Sequence, residues 1–241
     1  LALALAEAKP PAGGPKGRWS DLRLRVASAA VLLPVALYAL FAGGMAWNLL
    51  VLAATVGLLW EWWRLWRLRP GSHAPTLVKL GLGWAYILVG AAALHWLRID
   101  AAGLLNVLFL LAIVWSSDIG AYVAGRLAGG PKLAPRISPG KTWSGAAGGL
   151  VAAVAVGLAV SQAVQPGPPL HAVVVAAGLS VASQLGDLLE SAAKRHFGVK
   201  DSSRMIPGHG GLFDRLDGVL AAAPVAALLE LMIGPGVELW R

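Results

Sequence analysis

The stretch Gly103–Ala124 reads GLLNVLFLLAIVWSSDIGAYVA and carries a single charged side chain, Asp118. About 20 apolar residues is the length a helix needs to cross roughly 30 Å of hydrocarbon, so this stretch reads as a membrane span. Runs of the same kind recur near 26–44, 46–66, 77–97, 145–164, 171–190 and 216–234, which makes seven spans in 241 residues. Composition agrees, with 57% hydrophobic and 13% charged residues against about 25% charged in an ordinary soluble domain. The expected fold is an all-α polytopic membrane protein, and no nucleic-acid partner is expected. The absence of cysteine excludes disulfides and thiolate metal sites.

Basic residues are retained on the cytoplasmic side of a membrane. With the N-terminus inside, Lys9, Lys16, Arg18, Arg23 and Arg25 precede the first span, and Arg64, Arg67, Arg69 and Lys79 flank the second inner loop. Arg126, Lys132, Arg136 and Lys141 follow the fourth span; Lys194, Arg195, Lys200, Arg204 and Arg215 lie between the sixth and seventh. Only Arg98 and Arg241 of the 20 Lys and Arg then fall outside. One missed helix would reverse the sign of every later loop, so this asymmetry supports both the span count and a cytoplasmic N-terminus.

Residues 1–20 are Pro- and Gly-rich and are expected to form a loose tail. Residues 21–110 read as N-terminal transmembrane helices, and 111–241 as a transmembrane region with functional cytoplasmic loops. The tryptophans of LLWEWWRLWRLRP (Leu58–Pro70) read as an aromatic belt at the inner interface. Glu61 stands three residues before Arg64, and a structural ion pair is expected there.

From residue 111 onward the character changes, because carboxylates appear inside the spans. Asp118 lies eight residues before Arg126, about 12 Å along a helix and hence below the membrane surface. Asp187 lies seven residues before Lys194 at a similar depth, with Glu190 one turn later. An intramembrane carboxylate costs about 2.5–3.5 kcal/mol on insertion scales, so these side chains need partners or a task. Asp214 and Asp217, spaced i, i+3, share one face at the start of the last span. Before them comes PGHGG (Pro207–Gly211), whose glycines permit close backbone approach and whose following helix start offers free N–H groups to an anion. Carboxylates beside a phosphate-sized anion repel it unless a cation lies between. Magnesium, which takes one or two carboxylates plus phosphate oxygens and water, suits that place.

The loop GGPKLAPRISPGKTWSG (Gly129–Gly145) adds Lys132, Arg136, Ser138, Lys141 and Thr142, all suited to phosphate oxygens. Its GKT is no nucleotide-binding P-loop, because Pro135 stands where that motif needs glycine.

SAAKRHFGVKDSSRMIPGHGGLFDRLDG (Ser191–Gly218) resembles the signature of the phosphatidate cytidylyltransferases, the CDP-diacylglycerol synthases. SSDIGAYVAGR, SPGKTWSG and GDLLES resemble that family's other segments in the same order, so the likeness spans about residues 112–218. Ala193 stands where a larger apolar residue is usual, and Ser144 where Glu commonly follows GKTW. The resemblance implies transfer of the cytidylyl group of CTP to phosphatidate, with magnesium and a possible second cation as cofactors. It implies metal ligation by Asp187 and Asp214, supported by Asp217 and Asp118. Lys194, Arg195, Lys200, Asp201, His209 and Arg215 are the further catalytic candidates, and Lys132, Ser138, Lys141, Thr142, Gly208, Gly210 and Gly211 the substrate-binding ones. The expected setting is a bacterial-type inner membrane, among membrane lipids, as a homodimer with its site facing the cytoplasm. A CTP-dependent polyprenol or phytol kinase is the neighbouring alternative, and an ion-coupled transporter the alternative from another class. A scaffold without metal-dependent nucleotide binding is the third.

Overall fold

A computed structural model describes residues 15–67, 77–164 and 166–241. Each apolar run becomes one helix: α1 (Pro15–Ala42), α2 (Gly44–Arg67), α3 (Leu77–Ile99), α4 (Gly103–Ala128), α5 (Trp143–Ala163), α6 (Pro169–His196) and α7 (Phe213–Ile233). All seven are long and apolar enough to span a membrane. Residues 1–14 of the expected tail lie outside the described residues, as does Arg69.

Local chemistry sets several of the boundaries. Gly43 and Gly44 both take positive φ (64° and 47°), a conformation that costs glycine least, and the chain reverses there from α1 into α2. Arg98, expected on the outer side, donates through Nε to Leu40 O at 2.9 Å, so a cation meets the carbonyl end of α1. Thr142 caps α5 by accepting from Gly145 N at 3.0 Å. Pro169 occupies the first turn of α6, where its missing N–H costs nothing.

The core lies among α4, α6 and α7, where Leu110, Ile113, Val175, Leu179, Ala222 and Ala226 are fully excluded from solvent. Against this, α4 and α5 approach through small residues: a Cβ on Gly148 would fall 2.1 Å from Ala124 Cβ, and one on Gly120 2.5 Å from Ala152 Cβ. Backbone proximity of that kind is how helices gain van der Waals contact where lipid offers no hydrophobic drive. Polar contacts join α6 to this pair: Ser117 of α4 and Ser180 share a hydrogen bond of 2.8 Å, and Gln184 Nε2 donates to Ala146 O of α5 at 3.3 Å.

One element departs from the helical expectation. The loop after α4 forms a short antiparallel hairpin, β1 (Lys132–Ala134) with β2 (Ser138–Thr142), pairing Lys132 with Thr142 and Ala134 with Ser138. This hairpin, the start of α1, the end of α2 and the α6–α7 connection meet at one end of the bundle. Arg195 Nε donates to Ile137 O, and Ser28 Oγ approaches Pro207 O at 3.0 Å. At the opposite end the C-terminal segment folds back: Leu239 N donates to Asn106 Oδ1 at 2.9 Å, and Trp240 packs against Phe109 with ring centroids 4.8 Å apart.

Candidate active site

One face of α6 presents Asp187, Glu190 and Lys194 at helical spacing. Asp217, from the second turn of α7, meets them. Asp187, Glu190 and Asp217 each offer a carboxylate oxygen, and the three oxygens lie within 4.8 Å of one another. Two lysines straddle this trio. Lys194 Nζ lies 2.7 Å from Glu190 Oε2 and 2.8 Å from Asp214 Oδ1, while Lys141 Nζ reaches from β2 to Asp187 Oδ2 at 2.6 Å. Glu190 is only 2% exposed, and its Oε1 has no hydrogen-bond donor among the described residues. Three clustered carboxylates, one with a buried oxygen left without a donor, make a donor set of hard oxygens that fits a divalent ion. Asp118 on α4 stands outside the trio but lies within Coulombic range of Asp187, Asp217 and Lys141.

Asp214 has a different environment. Its Oδ2 accepts from Ser202 N at 3.0 Å, Gly211 N at 2.9 Å and Ser202 Oγ at 3.1 Å, so the carboxylate gathers the α6–α7 connection around itself. The glycines of PGHGG serve that fold. Gly208 and Gly210 take φ of 76° and 87°, and a Cβ on Gly211 would lie 1.8 Å from Ser202 Oγ.

The remaining sequence-derived residues form a rim. His209 Nδ1 lies 2.9 Å from Ser28 Oγ, and its carbonyl accepts from Arg215 Nε and Nη2 at 3.0 and 2.7 Å. Arg195 is exposed and ties the end of α6 to the hairpin. Thr142 is buried as the cap of α5, with its hydroxyl 2.9 Å from Ser144 Oγ, and Ser144 in turn donates to Gly129 O. Lys132, Lys200 and Asp201 are exposed, and Ser138 is half-buried in the hairpin.

Glu61 corrects the sequence reading. Its carboxylate is fully buried and among the described residues pairs with no basic side chain; Arg64 instead lies over the Trp60 ring at 5.8 Å. Glu61 Oε1 accepts from Leu212 N at 2.8 Å and from the Ser203 hydroxyl, and Oε2 accepts from Phe213 N at 2.8 Å and Ser202 Oγ at 3.0 Å. Glu190 was visible in sequence as a carboxylate one turn beyond Asp187. Nothing local marked Glu61, whose partners lie 141–152 residues away.

Next to the acidic trio is a cavity of about 510 Å³ between α3 and α6. Trp62, Tyr86, Phe197 and Phe213 line it, Glu190 forms part of its wall, and Lys79 lies among its lining residues. Leu82 and Leu189 beside it are exposed on the flank of the bundle (66% and 60%).

The acidic trio is bracketed by two lysines and adjoins a cavity lined mainly by apolar and aromatic side chains. Residues 76–232 match the cytidylyltransferase family, and the chain belongs to that family. Within it, the relatives carry the name phosphatidate cytidylyltransferase. The protein of that name from Brucella suis biovar 1 is 41% identical across 88% of this chain and 93% of its own length. That from Rickettsia bellii is 32% identical across 86% of this chain and 89% of its own. That from Staphylococcus saprophyticus is 43% identical over a shorter region, 62% of this chain and 57% of its own.

Proposed function

We infer that this protein transfers the cytidylyl group of CTP to phosphatidate, forming CDP-diacylglycerol and pyrophosphate. The observation that carries the reading is the Asp187–Glu190–Asp217 trio, held between Lys141 and Lys194 and walled on one side by an apolar cavity. No geometric feature favours the kinase or the transporter.

A phosphatidate phosphate oxygen attacks the α-phosphorus of CTP, forming a new P–O bond as the bond to the β-phosphoryl oxygen breaks and its electron pair leaves with pyrophosphate. The attacking phosphate monoester is already anionic at neutral pH, so no strong general base is needed. What the protein supplies is placement and charge neutralisation. Lys141 and Lys194 bring ammonium groups to the phosphates, with Arg195, Lys200, Arg215 and Lys132 forming a basic approach around them. Asp187, Glu190 and Asp217 would hold a magnesium ion, and the oxygens of Asp214, engaged by Lys194 and by backbone N–H groups, keep the turn in place beside it. When bound, magnesium supplies positive charge against the phosphate oxygens. The cavity between α3 and α6 receives an acyl chain, so the lipid reacts without leaving its leaflet.

The basic loops gathered at one end of the bundle support a cytoplasmic site in a bacterial-type inner membrane. The cysteine-free chain allows a direct test: a single cysteine in place of Arg204 should react with a membrane-impermeant maleimide only from the cytoplasmic side. A homodimer belongs to the same reading, and light scattering of the detergent-solubilised protein reads its mass. For the activity itself, purified protein is incubated with CTP and phosphatidate, with and without magnesium, and the lipid is analysed by mass spectrometry. A cytidylyl adduct formed only with the metal is expected; a lipid carrying one added phosphate, or no product, rejects the reading.

A further inference from the structure

Glu61 has no place in the chemistry above, yet it is among the most completely satisfied side chains in the molecule. It lies on α2, outside the residues matched to the family, and is fully buried without a cationic partner among the described residues. Four donors converge on its two oxygens: the N–H groups of Leu212, just before α7, and of Phe213, its first residue, and the hydroxyls of Ser202 and Ser203. Two donors per oxygen saturate a carboxylate, and the helix start adds favourable potential.

The chain of contacts does not stop there. Ser202 Oγ stands 3.0 Å from Glu61 Oε2 and 3.1 Å from Asp214 Oδ2, sharing one hydroxyl proton between two carboxylates. Asp214 in turn holds Lys194, and Lys194 holds Glu190. We propose that Glu61 is a positioning residue for nucleotidyl transfer: it fixes the Ser202–Phe213 turn and the first turn of α7, and so sets Asp214 and Asp217 opposite α6. Because Asp214 and Asp217 ride on one helical turn, a slip at Leu212–Phe213 displaces both, and Asp217 leaves the trio. An amide is a poor substitute, since the NH2 group of glutamine would face the backbone N–H of Leu212 or Phe213, which cannot accept.

This inference rests on the cytidylyltransferase reading, and the test separates the two. The full chain, its Glu61→Gln variant, Ser203→Ala and the double variant are purified in detergent. Each is assayed for Mn²⁺ affinity by electron paramagnetic resonance, for thermal midpoint, and for kcat and KM. Glu61→Gln should weaken Mn²⁺ binding by about tenfold or more and lower kcat comparably, an effect of the size seen when groups that orient metal ligands are lost. KM for phosphatidate should stay within about twofold. Ser203→Ala should shift the same quantities less, and the double variant should fall no further than Glu61→Gln, because both break one network. A folded Glu61→Gln protein with Mn²⁺ affinity and kcat within about twofold of the parent overturns the proposal. If that variant does not fold, unchanged Mn²⁺ affinity and kcat in Ser203→Ala overturn it, and a parallel loss supports it. Absence of CDP-diacylglycerol from the parent chain sinks the cytidylyltransferase reading alone, and the Mn²⁺ titration still decides the role of Glu61.

Discussion

Lys141 Nζ lies 2.6 Å from Asp187 Oδ2, so the hairpin after α4 is fastened to the acidic face of α6 by one ion pair. Lys141 Nζ is itself buried, but more than a third of the Asp187 side chain remains exposed. A pair with one end so exposed contributes about 0–1 kcal/mol to stability. Lys141→Met is therefore expected to leave the thermal midpoint nearly unchanged while KM for CTP rises and kcat falls. Steady-state kinetics beside a melting curve check this; a loss of stability with kinetics intact would place Lys141 in the scaffold instead.

Removing one charge from the trio tests the proposed metal ligands. Asp187→Asn and Asp217→Asn should each lower CDP-diacylglycerol formation by about a hundredfold or more and blunt the response to added magnesium, since a neutral amide oxygen lacks the charge with which a carboxylate holds that ion. Chelation of the parent protein by EDTA should mimic both variants and be reversed by magnesium. Turnover by either variant at the parental rate removes that residue from the metal site.

Filling the cavity between α3 and α6 tests the lipid's place. Ala193→Trp puts an indole among the lining residues while leaving all three carboxylates in the chain. KM for phosphatidate should rise severalfold with KM for CTP held constant, as expected for lost uniform binding of one substrate. Equal effects on both substrates would point to a distorted α6.

At the far end of the bundle Asn106 is completely buried, donating to Glu230 Oε1 at 2.8 Å and Val237 O at 3.1 Å while accepting from Leu239 N. Asn106→Leu leaves those partners unsatisfied, at about 1–3 kcal/mol for each buried group. The variant should melt earlier yet keep the parental kcat when assayed below its transition. A kcat loss at full foldedness would tie that end of the molecule to the chemistry.

The seven spans were legible because bilayer thickness imposes one length on every crossing helix, and a run such as Gly103–Ala124 is longer than the apolar stretch of a soluble core helix. Asp118 and Asp187 stood out for a similar reason: charge at that depth is costly and calls for a partner. Three features were hidden. The hairpin strands are three and five residues long and include Pro139 and Gly140, so they carry no alternating pattern. Thr142 precedes an apolar run, which is a helix-start signal, but its place in GKT suggested phosphate binding instead. Glu61 had Arg64 one turn away as a ready local partner, and only the folding of a turn far along the chain reveals its true one.

The flank position of the cavity, with Leu82 and Leu189 facing outward beside it, changes what substrate concentration means for this enzyme. A lipid that arrives by sliding sideways is counted per unit of surface, as a mole fraction among its neighbours. Diluting phosphatidate with inert detergent should therefore slow turnover at constant bulk amount, whereas diluting the whole suspension with buffer that keeps CTP and magnesium constant should not.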